Sequence, residues 1–139
     1  MKIITDKVSV ETKGDCEISN ITEGISDILE RSGIKNGILN VFIAGATGAI
    51  TTIEFEPGVV SDFRNFLKKV IGESGDYQHN KTHADVNATS HLRASLLGPS
   101  LTVPIDKGKM TLGKWQQIVF VDMDNRPRKR EILIKIIGE

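Results

Sequence analysis

Three histidines, His79, His83 and His91, are the residues of this chain best suited to chemistry, and all three lie in one polar segment. Asp85 and Asn87 lie between the second and the third. Imidazoles with a carboxylate among them are able to bind a metal, transfer protons or hold an anion. The spacing matches no strong zinc motif, so a metal site, an acid–base site and a plain surface loop all stay open.

A metal bound in this segment is predicted to be a divalent ion, with zinc the first choice. Zinc accepts a mixture of imidazole nitrogen and carboxylate oxygen, and three protein ligands would leave one position for water. The ligands would be His79, His83 and His91. On a helix, the first two would share a face, because they are four residues apart.

A second set of charged side chains lies near the C-terminus. Side chains alternate between the two faces of a strand, so Arg128 and Arg130 share a face with the isoleucines that follow them. Two arginines that continue an apolar face can form a fork for phosphate or carboxylate. The alternative is an ordinary charge cluster at the rim of the protein.

Further polar residues border the predicted strands. Glu54 follows a core strand. Its carboxylate is either functional, as a base or a ligand, or an ordinary side chain that faces solvent. Gln116 and Gln117 begin an apolar strand, and one of them should face inward and need hydrogen-bond partners. The sequence Gly45–Gly48 joins two strands, which predicts a turn and not a phosphate-binding loop.

These residues are predicted to sit on an α+β domain of mostly antiparallel strands with two main helices. The predicted elements are a strand ending near Gly14, a helix from Asn20 to about Arg31, strands at Gly37–Gly45 and Ala49–Glu56, a helix beginning near Ser61, one or two helical turns within Ser90–Leu97, and a closing meander of short strands. Asn20 and Glu23 have capping-box spacing at the start of the first helix. Pro57 is expected to break the strand before it.

Length and composition set further bounds. A chain of 139 residues is long enough for one domain, residues 1–139, and too short for two ordinary ones. Lys plus Arg equals Asp plus Glu at 18 each, which predicts neither a nucleic-acid nor a membrane partner. The single cysteine cannot form an intramolecular disulfide, and the start of the chain lacks an apolar core of signal-peptide length. A cytoplasmic location is therefore expected.

The stretch from Ser90 to the C-terminus closely resembles the YjbQ family, also called UPF0047. The matching motifs are His91 with Ser95–Ser100, Val103–Ile105, Leu112–Gln116, and Asp124 with Arg128 and Arg130. Upstream matches are Tyr77–His79, Asp85–Asn87 and Glu54. In one departure, many members carry His-Thr-Thr or His-Thr-Ser where this chain has Gly45-Ala46-Thr47.

The resemblance implies an α+β domain, typically a homotrimer, with the histidine segment lining a pocket. Members are often labelled secondary thiamine-phosphate synthase, an activity that joins an aminopyrimidine diphosphate to a thiazole phosphate and releases pyrophosphate. The implied catalytic residues are His79, His91, Glu54 and Asp85, and the implied ligand-binding residues are Asn87, Ser95, Gln116, Arg128 and Arg130. The leading hypothesis is an enzyme that acts on a small phosphorylated metabolite. The alternative is a non-catalytic homotrimer that binds a metal or a metabolite.

Overall fold

The computed structural model describes all 139 residues as eight strands and four helices. The strands are β1 (Lys2–Thr12), β2 (Glu17–Asn20), β3 (Gly37–Ile43), β4 (Gly48–Glu54), β5 (Ser100–Asp106), β6 (Lys109–Met110), β7 (Gln116–Asp122) and β8 (Arg128–Gly138). The helices are α1 (Thr22–Ser32), α2 (Pro57–Val70), α3 (His79–Thr82) and α4 (Ala88–Leu97).

The strands form two sheets in which every pairing is antiparallel. The larger sheet has the order β1-β8-β3-β5-β6, and the smaller has the order β2-β7-β4. Helices α1 and α2 are the two longest of the four. The predicted α+β class with mostly antiparallel sheets is confirmed.

The three-stranded sheet lies between two apolar cores. Its strand β7 sends Ile118 and Phe120 into the first core, which also holds α1 and the inner face of the five-stranded sheet. The alternate residues Val119 and Val121 enter the second core, together with side chains of α2 and α4. Because the middle of β7 is buried on both faces, Ile118–Val121 form an uninterrupted apolar run and not an alternating pattern.

The predicted closing meander is confirmed for its first hairpin, β5–β6, and is wrong for the strands that follow. Strands β7 and β8 are joined by the short turn at Asn125–Pro127, yet they belong to different sheets, and β8 pairs with β1 and β3. The difference follows from their burial, since β7 is apolar on both faces whereas β8 alternates an apolar face with a solvated one. The short turn keeps the end of β7 close to the beginning of β8, although the two strands continue in different sheets.

The helix boundaries also differ from the predicted ones. Helix α2 begins at Pro57 and not near Ser61, because the Glu56 carboxylate accepts hydrogen bonds from the Gly58 and Val59 amides. Those hydrogen bonds hold the pKa of Glu56 below its usual value. Proline suits this first helical position, since its missing N–H would have had no intrahelical partner.

The predicted capping box of the first helix is absent. Asn20 ends the unpredicted strand β2, and its Oδ1 accepts from the amide and hydroxyl of Thr22. Helix α4 begins at Ala88, earlier than predicted, and α3 was not predicted. None of the four helices has the length and apolar character of a membrane-spanning segment.

Candidate functional site

A polar cavity of about 420 Å³ lies where β7 ends and β8 begins. Ala46 is the only apolar side chain in its lining. The lining residues are Gly45, Ala46, Thr47, His79, His83, Asp85, Asn87, His91, Arg128 and Arg130. The structure therefore brings the predicted histidine segment and the two predicted arginines into one cavity.

The first wall of the cavity is the histidine segment. His79 opens α3, and its Nε2 lies 3.0 Å from Oδ1 of Asn87, the residue just before α4. Its ring is perpendicular to the ring of His91, with centroids 4.8 Å apart, and is stacked on the ring of His83 at 4.4 Å. The three imidazoles thus form one contiguous group.

The hydrogen bond of His91 determines which of its ring nitrogens is free. Nδ1 lies 2.9 Å from the carbonyl oxygen of Ala46. A carbonyl only accepts, so Nδ1 carries the hydrogen and, in the neutral ring, Nε2 remains an acceptor. A histidine held in this way is oriented either as a proton acceptor or as a metal ligand.

The three histidines do not form a three-ligand metal group in this arrangement. No set of three His, Cys, Asp or Glu side chains converges on one point. His79 and His83 stack with their planes only 23° apart, and stacked rings direct their nitrogens side by side and not toward a shared ion. A zinc site with all three imidazoles would require the stack to open, because zinc ligands surround the ion tetrahedrally.

Arg93 anchors the histidine segment to α4. This arginine is only 2% exposed, and its Nε and Nη2 donate to the carbonyl of Ile71 at 3.1 and 2.6 Å. Its Nη1 lies 3.2 Å from the carboxylate of Glu73, which also accepts from the Thr89 hydroxyl. The connection that carries His79 is therefore tied at its base to the helix that carries His91.

The second wall is formed by Arg130 and its buried counter-ion. Arg130 donates from Nε and Nη2 to the two carboxylate oxygens of Asp122, each at 2.9 Å, and from Nη2 to the Thr47 hydroxyl at 2.8 Å. The Thr12 hydroxyl and the Asp124 amide also donate to Asp122. Burial of Asp122 tends to raise its pKa, but the hydrogen bonds from Arg130, Thr12 and Asp124 outweigh burial and lower it.

Arg128 completes this wall in the same manner. Its Nε donates to Asp124 at 2.8 Å, and no protein group accepts from either of its Nη atoms. The Nη1 atom of Arg130 likewise has no acceptor in the protein. Among buried side-chain polar atoms only Arg64 Nε lacks a partner, so Arg130 Nη1 is not buried and reaches solvent. Both guanidinium groups are thus fixed on one edge by a buried aspartate and keep free N–H groups at the cavity.

Three predicted site residues lie elsewhere. Glu54 pairs with Gln116 at one end of the three-stranded sheet, and Gly48 pairs with Asp122 at the other end. At the usual rise per residue, the two ends of this strand pair are about 20 Å apart. Gln116 bonds Thr52 and borders a separate cavity of about 380 Å³. Ser95 is exposed on α4. None of the three lines the histidine cavity.

Asp122 and Thr47 are the site residues that sequence reasoning missed. A signal for Asp122 exists, since Asp122 and Asp124 alternate at the end of β7 just as Arg128 and Arg130 alternate at the start of β8. The predicted turn at Gly45–Gly48 is confirmed. Its residues Gly45, Ala46 and Thr47 also line the cavity, which the sequence does not indicate. A turn between two sheets can present a carbonyl and a hydroxyl to a site without any phosphate-loop motif.

These features define an α+β protein with two antiparallel sheets and a polar cavity of histidines and arginines. The family model described as UPF0047 protein YjbQ-like matches residues 6–139. The chain belongs to this family, which confirms the predicted resemblance.

Relatives and solved structures agree along the length of the chain. A UPF0047 protein of Methanothermobacter thermautotrophicus is 42% identical over all of this chain and 95% of its own length. A crystal structure of a YbjQ-like protein of unknown function from Sulfolobus solfataricus has a TM-score of 0.94 and 37% identity, covering 99% of each chain. A YjbQ/UPF0047 protein of Clostridium acetobutylicum has a TM-score of 0.87 and 35% identity, covering 95% of this chain and 99% of its own.

Proposed function

We propose that this protein binds a small phosphorylated metabolite in the histidine cavity, where His79 and His91 serve as acid–base groups. The observation that carries the proposal is the pair of guanidinium groups with free N–H donors beside the imidazoles. Arginine matches the geometry of phosphate oxygens and stays charged at all ordinary pH values. The chemistry of the cavity therefore suits an anion with a reacting group next to it.

The buried aspartates support this proposal by fixing the arginines in advance. Asp122 holds one edge of Arg130, and Asp124 holds one edge of Arg128, so neither side chain must lose its freedom when a ligand binds. His91 presents Nε2 as a proton acceptor because Ala46 holds its Nδ1–H. Positioned donors and a positioned base are what phosphoryl or proton transfer requires.

Inorganic phosphate is the simplest probe of this proposal. Arg128→Gln is expected to raise the dissociation constant for phosphate at least about tenfold, because a charge-assisted hydrogen bond contributes about 1.5–3 kcal/mol. Isothermal titration calorimetry at constant ionic strength measures the change. Arg126→Gln is the matched control, since Arg126 lies in the same turn, is exposed and does not line the cavity. Equal affinities for the two variants would count against the proposal.

Thiamine-phosphate synthesis is one reaction that the acid–base proposal includes. Both of its substrates carry phosphate, and the departing pyrophosphate would need the cations that Arg128 and Arg130 supply. The assay mixes the protein with the aminopyrimidine diphosphate and the thiazole phosphate and measures thiamine phosphate. Product that disappears in a folded His91→Ala variant would support this reaction, whereas no product from the wild type would exclude it.

A second candidate function is a non-catalytic homotrimer that binds a divalent metal, with zinc first. Two observations favour it. The bond from His91 to Ala46 leaves Nε2 available as a ligand. The row Ile3, Ile137, Ile38 and Pro104 crosses four paired strands on the outer face of the larger sheet, where all three isoleucines are exposed. Exposed apolar rows of this kind often mark subunit interfaces.

The second candidate function predicts both a bound metal and the molecular mass of a trimer. Elemental analysis after dialysis with zinc would find close to one zinc per chain, and His79→Ala would remove it. Light scattering would give about 46 kDa, three times the 15.3 kDa of one chain. Protein without zinc that nevertheless binds phosphate would favour the first proposal, and a mass near 15 kDa would reject the trimer.

A further inference from the structure

We propose that the metabolite is hydroxylated, and that Asp85 and Asn87 bind its hydroxyl groups. This inference rests on the proposed function, because it describes the part of the ligand beyond the phosphate. It is an alternative to thiamine-phosphate synthesis, whose two substrates are heterocycles without free hydroxyl groups. It follows from two features of the cavity: which polar atoms remain without partners, and how little apolar surface the lining offers.

The unpartnered atoms on the histidine wall are an acceptor and a donor. The Asp85 carboxylate is exposed and makes no hydrogen bond and no ion pair with the protein, so a ligand in the cavity has direct access to it. With Asn87 Oδ1 paired to His79, the Nδ2 of the same amide has no partner. A hydroxyl group both donates and accepts, so adjacent hydroxyls can donate to Asp85 and accept from Asn87.

The cavity offers a ligand almost no apolar side chain on which to pack. Ala46 provides the only apolar side chain in the lining. The imidazole rings pack on one another, His79 stacked on His83 and edge-on to His91. The Arg130 guanidinium lies over the ring of Phe120, with its central carbon 5.9 Å from the ring centroid, so one of its faces is covered. A ligand bound here therefore gains little from burying apolar surface, and its polar contacts decide its affinity.

The arrangement divides the cavity between two kinds of ligand group. Arg128 and Arg130 on the β8 wall are cationic donors suited to phosphate oxygens. Asp85 on the histidine wall repels phosphate but accepts from hydroxyls. A short polyol phosphate or sugar phosphate satisfies both walls together, whereas an alkyl or aryl phosphate leaves Asp85 and Asn87 unsatisfied.

The experiment compares four ligands of similar charge by isothermal titration calorimetry: inorganic phosphate, glycerol 3-phosphate, propyl phosphate and phenyl phosphate. The expected result is that glycerol 3-phosphate binds about tenfold more tightly than propyl or phenyl phosphate, the factor typical of one hydrogen bond to a charged group. Asp85→Asn is expected to reduce that preference to about threefold or less. Asp76→Asn is the matched control, because Asp76 lies in the same segment, pairs with Lys81 and does not line the cavity.

The possible failures are distinguishable. Propyl or phenyl phosphate binding as tightly as glycerol 3-phosphate would overturn the hydroxyl inference while leaving the phosphate site intact. Equal preferences in Asp85→Asn and Asp76→Asn would likewise overturn it, since Asp85 would then bind no hydroxyl. If none of the four ligands bound, inorganic phosphate included, the proposed function would fail together with this inference.

Discussion

Asp122→Asn is expected to lower the free energy of unfolding by about 3–5 kcal/mol, because buried Arg130 loses its bidentate partner and keeps only the Asp124 carboxylate, 3.6 Å from Nη2. Asp122 is fully buried, and Arg130 donates two hydrogen bonds to it. Asparagine has nearly the same shape as aspartate, so the substitution leaves no void in the core. The lost stability would therefore measure the contribution of the charge and its hydrogen bonds. Urea unfolding at neutral pH measures the difference. Asp106→Asn, an exposed aspartate without a partner at the end of β5, is the control and should change the free energy little.

The same variant has an expected pH dependence. The pKa of Asp122 is lower in the folded protein than its usual value, so its ionisation stabilises the folded state at every pH above the unfolded-state pKa, about 3.9. That stabilisation is lost as the pH falls through the lower, folded-state pKa. The difference between wild type and Asp122→Asn should therefore stay constant from pH 7 to about pH 4.5 and shrink below pH 4. A difference under about 1 kcal/mol at pH 7 would contradict the ion-pair account.

Arg93→Met is the second variant with a large expected effect, and it acts on the histidine segment. The substitution leaves the partly buried carbonyl of Ile71 without its two donors and Glu73 without its ion pair, which predicts a loss of about 2–4 kcal/mol in the free energy of unfolding. The connection from Gly72 to Asn87 should also lose its anchor to α4. Hydrogen exchange measured by mass spectrometry should show faster exchange in peptides from this connection than in wild type, by at least about tenfold.

Two comparisons make the Arg93 result interpretable. Arg126→Met removes an exposed arginine that makes no hydrogen bond, and it should leave both stability and exchange unchanged. Peptides from β8 report global unfolding, so a rise confined to the histidine segment separates local release from general destabilisation. Exchange that rises equally in β8 and in the histidine segment would show that Arg93 supports the whole fold and does not specifically anchor the site.

The parts of the site carried by local patterns could be predicted from the sequence. Alternation along β8 placed Arg128 and Arg130 on the buried face, and the structure has Arg130 on that face with Ile132 and Ile134. The clustering of His79 and His91 indicated one wall of a cavity. Both signals depend only on residue type and spacing, which a single sequence contains.

The remaining features depend on long-range pairing. That β7 and β8 enter different sheets could not be read from a short turn, which is equally compatible with a hairpin. The distant position of Glu54 follows from the β4–β7 register, which sets it opposite Gln116 and far from Asp122. The sequence predicts that Pro57 breaks a strand, whereas in the structure Pro57 is the first residue of α2. The Glu56 carboxylate caps this helix, and that contact is not evident from the sequence pattern.

The histidine cavity is the proposed binding site of a phosphorylated ligand. A crystal structure of the protein grown with glycerol 3-phosphate would locate that ligand. The predicted result is density for the phosphate within hydrogen-bond distance of the free guanidinium nitrogens of Arg128 and Arg130, with the hydroxyl groups next to Asp85. A ligand bound at saturating concentration in another cavity, with the histidine cavity holding no phosphate, would contradict the account.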